Sequence, residues 1–273
     1  MQVFQQLFRL YIYGSIHVAL SVVALTAMTL HMFGLPADWP LFGFAFGGTM
    51  FSYNFMKYEA FYKRKWPEGK FTQVIVILST IALAFAGLCF LYLKAATQVT
   101  ALAFLLFTAL YTVPFFPNTK NLRNWSGIKI YIVALCWAGV TTLLPLINSG
   151  VELYSDVYLK FAQRFLLIII LILIFEIIDL KEDDPFLKTI PQQIGVRNTK
   201  ILNLVLLLPF YFLEFLKSTI DDKQLLINIL LVIIVAIFTV FAHPQRNKYY
   251  TLFWVESIPI FWLGMVMAGG YIF

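Results

Sequence analysis

Apolar residues recur in nine long runs along the chain, and short polar segments separate the runs. They cover approximately residues 10–32, 40–57, 71–93, 96–114, 127–148, 158–178, 199–217, 223–242 and 251–272. Each run is close to the length of about 20 apolar residues that a helix needs to cross a bilayer. The pattern therefore predicts an all-α, polytopic membrane helical bundle of about nine transmembrane helices.

The segments between the runs carry turn and charge signals, chiefly Pro, Gly, Asn, Asp, Lys and Arg. They lie near residues 36–40, 63–69, 117–123, 148–156, 181–191, 221–223 and 243–248. None is long enough to hold a soluble domain. Residues 1–273 are therefore predicted to form a single transmembrane domain.

Composition supports the membrane class. Hydrophobic residues make up 61% of the chain and charged residues only 12%, whereas soluble domains carry about 25% charged residues. The net charge of +6 does not indicate nucleic-acid binding, because the basic residues lie in short loops between apolar runs. Cys89 and Cys136 lie inside apolar runs and are interpreted as small packing residues.

The basic residues are distributed unequally between alternate loops. With the N-terminus in the cytoplasm, the cytoplasmic segments hold 15 of the 20 Lys and Arg residues and the opposite segments hold 5. Short cytoplasmic loops carry such an excess in membrane proteins. We therefore predict a cytoplasmic N-terminus, and a cell (inner) membrane protein whose active face is cytoplasmic.

The densest acidic cluster closes the sixth run. Glu176, Asp179 and Asp183 follow the spacing i, i+3 and i+7, which places them on one stripe if the helix continues. Such carboxylates repel one another unless a cation neutralises them, and Mg²⁺ often bridges carboxylates to phosphates. The alternative is a solvated acidic helix end, although acids at a helix C-terminus oppose the helix dipole.

Two basic clusters share the predicted cytoplasmic face with these acids. Asn54 and Lys57 end the second run, while Lys120, Arg123 and Lys129 follow the fourth. Lys57 can be interpreted either as a phosphate ligand or as a snorkelling side chain that fixes topology. A charged rim over an apolar bundle suits a lipid with a charged head group.

Other polar residues give weaker signals. His17 and His31 are interpreted as packed or hydrogen-bonded side chains of the first run. No role is assigned to Glu214. Glu256, which lies beside Ser257 and close to Pro259, is a candidate for the wall of a cavity.

With these residues the chain resembles the UbiA superfamily of membrane prenyltransferases, which have nine transmembrane helices. Their second motif, D-x-x-D-x-x-x-D with a K-T-L-P-x-x-L-G-like tail, is similar to residues 176–195, which read EIIDLKEDDPFLKTIPQQIG. Glu176, Asp179 and Asp183 match its acidic positions, Glu replacing the first Asp. Further matches between the two motifs are Tyr111, Pro114, Gly127, Lys129, Trp137 and Pro145.

This chain departs from the first family motif, N-D-x-x-D-x-x-x-D. Residues 54–62 read NFMKYEAFY, so that Asn54 matches but Phe55, Tyr58 and Tyr62 occupy the aspartate positions. Glu59 is one residue out of phase. We hypothesise that Lys57 partly replaces the metal charge that this motif holds in the family.

The resemblance implies Mg²⁺-dependent transfer of a prenyl group from a prenyl diphosphate to a hydrophobic acceptor in the lipid bilayer. It implies that Glu176, Asp179 and Asp183 hold Mg²⁺, and it leaves the catalytic residue unassigned. Substrate contacts are expected from Asn54, Lys57, Lys120, Arg123 and Lys129. The alternatives are a non-catalytic relative that binds a lipid or a partner, and a transporter, although the inverted repeat typical of transporters is not evident.

Overall fold

The structure, a computed structural model, describes residues 2–64, 69–112 and 127–272. Its α-helices are α1 Gln2–Tyr13, α2 Ile16–Met32, α3 Trp39–Arg64, α4 Lys70–Leu91, α5 Ala95–Thr112, α6 Lys129–Ala138, α7 Leu144–Ser149, α8 Ser155–Asp179, α9 Ile190–Phe212, α10 Asp222–Phe241 and α11 Ile258–Ile272. Two π-helical turns, Gly139–Leu143 and Tyr250–Val255, precede α7 and α11. These ranges contain no strand, which confirms the predicted all-α fold class.

Every predicted apolar run coincides with one helix or with two consecutive helices. Within the described ranges, six helical segments are long and apolar enough to cross a membrane. A seventh is obtained if α1 and α2, which meet at a bend of 57°, count as one span. The helix α5 is shorter, and α3, which carries the polar residues Asn54 and Lys57, is not among the six. The count of nine spans therefore stays a prediction.

The helix α8 lies at the centre of the bundle. In its most apolar window 67% of the residues are buried inside the protein, against 28–50% in the other five candidate spans. Its apolar side chains form the main core with residues of α9, α10 and α11, among them Phe210, Leu231 and the fully buried Trp262. Side chains carried by α8 are therefore held on several sides.

The first half of α8 buries two basic side chains, Lys160 and Arg164, which are 1% and 0% exposed. Lys160 donates to Gln163 at 3.1 Å, and Gln163 donates to the Glu214 carboxylate at 2.8 Å. Arg164 donates to the Leu25 carbonyl oxygen at 3.1 Å and lies over the Trp262 ring at 5.3 Å. Buried charges need such partners, so this cluster is one way in which α8 is fixed.

Polar contacts define two ends of the bundle. At the acidic end, named for Glu176, Asp179 and Asp183, Lys129 at the start of α6 pairs with Glu176. At the opposite end, the Lys94 N–H donates to the Asn148 side chain at 2.9 Å and the Ser218 N–H donates to Asp156 at 3.1 Å. The loops before α5, α8 and α10 thus meet at the end away from the acidic residues, as alternating spans require.

Candidate functional site

Glu176, in the last turn of α8, contacts one charged group and one backbone N–H group. Its Oε1 lies 3.3 Å from Lys129 Nζ, and its Oε2 accepts a hydrogen bond of 3.1 Å from the Ile190 N–H at the start of α9. A helix N-terminus favours a carboxylate in this way. Both oxygens of Glu176, which is 3% exposed, are therefore engaged by the protein itself.

Asp179 lies about one turn, and Asp183 about two turns, beyond Glu176. The N–H groups of Glu182 and Asp183 donate to the Asp179 carbonyl oxygen at 2.8 and 2.9 Å. This turn continues the helical path beyond α8 and returns Asp183 towards Asp179. One carboxylate oxygen of Asp183, Oδ2, is buried and has no hydrogen-bond partner within the described part of the chain. An unpartnered buried acceptor of this kind suits a cation or a donor from a ligand.

These acids open onto a cavity of about 200 Å³. Lys129, Glu176, Asp179 and Asp183 form a charged part of its wall, and α6, α8 and α11 contribute apolar side chains. From Ile168 to Asp179 the wall follows α8 for roughly 16 Å at 1.5 Å per residue. The other residues along it are Tyr53, Ile130, Val133, Trp137, Leu171, Ile172, Phe175, Val255, Glu256 and Pro259.

The tail of the second motif forms the start of α9. The Thr189 N–H donates to Gln192 Oε1 at 2.9 Å, and Pro191 occupies the first turn, where it needs no hydrogen-bond donor. Gly195 has φ +80° within this helix, a conformation that favours glycine. The motif residues therefore shape the helix N-terminus that holds Glu176.

At the rim of the site, Lys248 in the loop before α11 forms an ion pair with Glu182. This hydrogen bond to Glu182 raises the pKa of Lys248 above its ordinary value. Both side chains are about half exposed or more, so the pair contributes little to stability. It does connect the loop after α8 with the loop before α11.

The predicted basic residues fall into three groups. Lys129 lines the cavity and contacts Glu176. Lys120 and Arg123 lie outside the described residues. Asn54 and Lys57 lie on α3 but are not among the cavity-lining residues; Lys57 Nζ donates to Ser15 Oγ at 3.0 Å. The substrate contacts expected of these residues stay predictions.

The candidate metal ligands also differ in arrangement from the predicted stripe. Within the described ranges, no three His, Cys, Asp or Glu side chains are grouped so that they could hold a metal ion. Glu176 is instead paired with Lys129 and with the Ile190 N–H of the α9 N-terminus. Mg²⁺ is commonly bound through one or two carboxylates together with substrate phosphates. Asp179 and Asp183 fit that requirement, because Asp183 retains a buried acceptor without a donor.

Two further residues reach the cavity. Glu256 lines it, as its position near Pro259 allowed. Tyr53, which sequence reasoning missed, accepts a hydrogen bond of 2.9 Å from Trp137 Nε1. Its position immediately before Asn54 was the available signal, although Tyr53 and Asn54 lie on different faces of α3.

The fold and this cavity define a polytopic helical membrane protein with a charged pocket at one end of its central helix. No protein-family model and no curated protein sequence matches the chain. Its structure is similar to a solved structure of digeranylgeranylglyceryl phosphate synthase, a prenyltransferase of the UbiA superfamily. The TM-score is 0.57 at 14% sequence identity, and the match covers 98% of this chain and 97% of that chain. The resemblance seen in the sequence is thereby confirmed at the level of the fold.

Proposed function

We propose that the protein is an integral membrane prenyltransferase that transfers a prenyl group from a prenyl diphosphate to a hydrophobic acceptor. The observation that carries this proposal is the cavity, which joins Lys129, Asp179 and Asp183 to a long apolar wall. A prenyl diphosphate has the same division, with a charged head and a hydrocarbon tail. The likeness of the whole fold to a prenyltransferase supports the assignment.

In this proposal Asp179 and Asp183 are the residues that would hold Mg²⁺. When bound there, the divalent cation supplies charge neutralisation for the departing diphosphate. Lys129 lies at the same wall and places its ammonium group towards the phosphates, with Glu176 fixing its position. The apolar residues of α6 and α8 orient the prenyl chain and exclude water from the reacting carbon.

The direct test is calorimetric titration with farnesyl diphosphate and geranylgeranyl diphosphate, with and without Mg²⁺. Asp179→Asn and Asp183→Asn should each weaken Mg²⁺-dependent binding by about tenfold or more, equivalent to about 1.4 kcal/mol. Glu182→Gln is the matched control, because Glu182 lies in the same turn but faces Lys248 at the surface. Equal affinities for all four proteins would contradict the assignment.

A second candidate is a protein of this fold that binds a prenyl lipid without reacting it. The absence of acids at Phe55, Tyr58 and Tyr62 and the neutralisation of Glu176 by Lys129 favour it. Incubation with labelled prenyl diphosphates, Mg²⁺ and a panel of acceptors separates the two candidates. Binding that is abolished in Asp183→Asn, without any labelled product from wild type, would select the second.

A further inference from the structure

Glu256 also lines the cavity. It belongs to the segment before α11 and is distant in sequence from the acidic end of α8. It follows the π-helical turn Tyr250–Val255, whereas Asp179 and Asp183 belong to α8 and the loop after it. Among the described residues, no side-chain hydrogen bond or ion pair engages the Glu256 carboxyl group. Because Glu256 lines the cavity, its carboxyl group is available to a hydrogen-bond donor that enters there.

The position of Glu256 is fixed by its neighbours on α2. Ser21 Oγ donates to the Glu256 carbonyl oxygen. A ring nitrogen of His17 lies 2.9 Å from the Phe253 carbonyl oxygen, and Ser257 Oγ donates to the same oxygen at 2.6 Å. A π-helical turn redirects side chains relative to a regular helix and is frequent at functional sites. The direction of Glu256 is therefore built into the packing of α2 against this turn.

Few charged groups act on Glu256. Lys57 of α3 attracts the Glu256 carboxyl group electrostatically but forms no ion pair of 4 Å or less with it. Tyr11 of α1 also interacts electrostatically with Glu256. Tyr53 shares the cavity wall and already accepts from Trp137. A cation at that distance acts on the carboxyl group without occupying its oxygens. Glu256 is thus arranged to accept a hydrogen bond from something that enters the cavity.

We propose that Glu256 binds the hydroxyl group of an uncharged acceptor and receives its proton during prenyl transfer. This inference rests on the proposed function. The acceptor oxygen forms a bond to C1 of the prenyl group while the bond from C1 to the diphosphate oxygen breaks, and the electron pair leaves with the diphosphate. The hydroxyl proton passes to the Glu256 carboxylate, which becomes a carboxylic acid.

In this arrangement the two sets of carboxyl groups on the cavity serve different substrates. Asp179 and Asp183 face the leaving group, and Glu256 faces the acceptor. A carboxylate wall disfavours an acceptor that is itself an anion, because like charges in an apolar site repel strongly. The acceptor class is therefore a neutral alcohol or phenol with an apolar body.

The experiment uses the full chain in lipid nanodiscs and two fluorescent probes, 2-naphthol and 2-methoxynaphthalene, with empty nanodiscs subtracted. In 2-methoxynaphthalene a methyl group replaces the hydroxyl hydrogen of 2-naphthol, so that only 2-naphthol can donate a hydrogen bond. Wild type and the control Glu182→Gln should bind 2-naphthol in preference to 2-methoxynaphthalene. Glu256→Leu, which removes the hydrogen-bond acceptor, should lose this preference. Glu256→Gln, whose amide oxygen still accepts a hydrogen bond, and Glu256→Asp, which keeps a shorter carboxylate, should retain part of it. Equal binding of both probes by wild type overturns the inference.

The same proteins are then assayed for labelled transfer to 2-naphthol. Glu256→Gln should bind prenyl diphosphate within about twofold of wild type yet transfer about 10²–10⁴ times more slowly, the usual contribution of a general base. Transfer at the wild-type rate overturns the inference while the proposed function stands. Selective 2-naphthol binding, together with no labelled product from wild type on any acceptor of the panel, supports the acceptor site and overturns the proposed function.

Discussion

Asn54 uses its whole side-chain amide to hold the break between α1 and α2. Its Oδ1 accepts from Ser15 Oγ at 2.7 Å, and its Nδ2 donates to the Gly14 carbonyl oxygen at 2.9 Å and to Ser79 Oγ at 2.8 Å. Asn54 is 1% exposed. Ser15 lies in the left-handed region with φ +60°, a conformation that needs support from its surroundings. Asn54 therefore joins α1, α3 and α4 at a point where the chain turns.

Asn54→Ala should lower the free energy of unfolding by about 2–3 kcal/mol, because buried partners lose their hydrogen bonds. Thermal unfolding in detergent measures this effect. Asn198→Ala is the control, since Asn198 is exposed and donates only to its own helix at Ile194. A variant that melts like wild type but no longer binds prenyl diphosphate would instead support the substrate contact expected from the sequence.

Lys57 is the residue that we hypothesise to replace part of the metal charge of the first family motif. It is exposed, contacts Ser15 and attracts Glu256, and its ammonium group is a compact charge that can meet a phosphate directly. Lys57→Ala should weaken prenyl diphosphate binding by about tenfold with little loss of thermal stability. Lys70→Ala, at the start of α4, is the control. Unchanged affinity would limit Lys57 to its contacts with Ser15 and Glu256.

At the scale of the elements, α2 supplies polar side chains to both π-helical turns. Thr29 Oγ1 donates to the Thr141 carbonyl oxygen at 2.7 Å, while His17 and Ser21 contact the turn before Glu256. A π-helical turn shifts the backbone hydrogen-bond register, and carbonyl groups in an apolar bundle must find donors. The hydroxyl groups of α2 thus permit two irregular turns beside the cavity.

The close packing of α3 on α4 rests on a glycine. A Cβ at Gly47 would lie 2.4 Å from the Ala82 carbonyl oxygen and 3.1 Å from Ala86 Cβ, and small residues allow such approach between membrane helices. Gly47→Val should therefore destabilise the protein by about 1–3 kcal/mol, measured by thermal unfolding. Gly48→Ala is the neighbouring control, because a Cβ there meets nothing within 4 Å. Equal melting temperatures would show that α4 can move away without cost.

The helices and the acidic end were predictable because each depends on local pattern. Apolar runs define the helices, and the spacing of Asp179 and Asp183 brings them to one wall. The break at Gly14 and Ser15 was not predictable, since it lies inside an apolar run and is held by the distant Asn54. The engagement of Glu176 likewise depends on α6 and α9, which only the tertiary structure brings to α8.

The orientation of the whole molecule in the membrane can be tested at its loops. The 15-to-5 division of Lys and Arg predicts, under the positive-inside rule, that the acidic end faces the cytoplasm. The structure supplies an independent reason to group the loops, because Lys248 contacts Glu182 at one end and Lys94 contacts Asn148 at the other. Single cysteines at Lys70 and Lys188, in a protein whose Cys89 and Cys136 are replaced by Ala, should react with an impermeant thiol reagent only from the cytoplasmic side. A cysteine at Glu152, in the loop before α8, should react only from the opposite side. Labelling of the Lys70 and Lys188 positions from different sides would contradict the nine-span arrangement and would separate α4 from the acidic end that the proposed reaction requires.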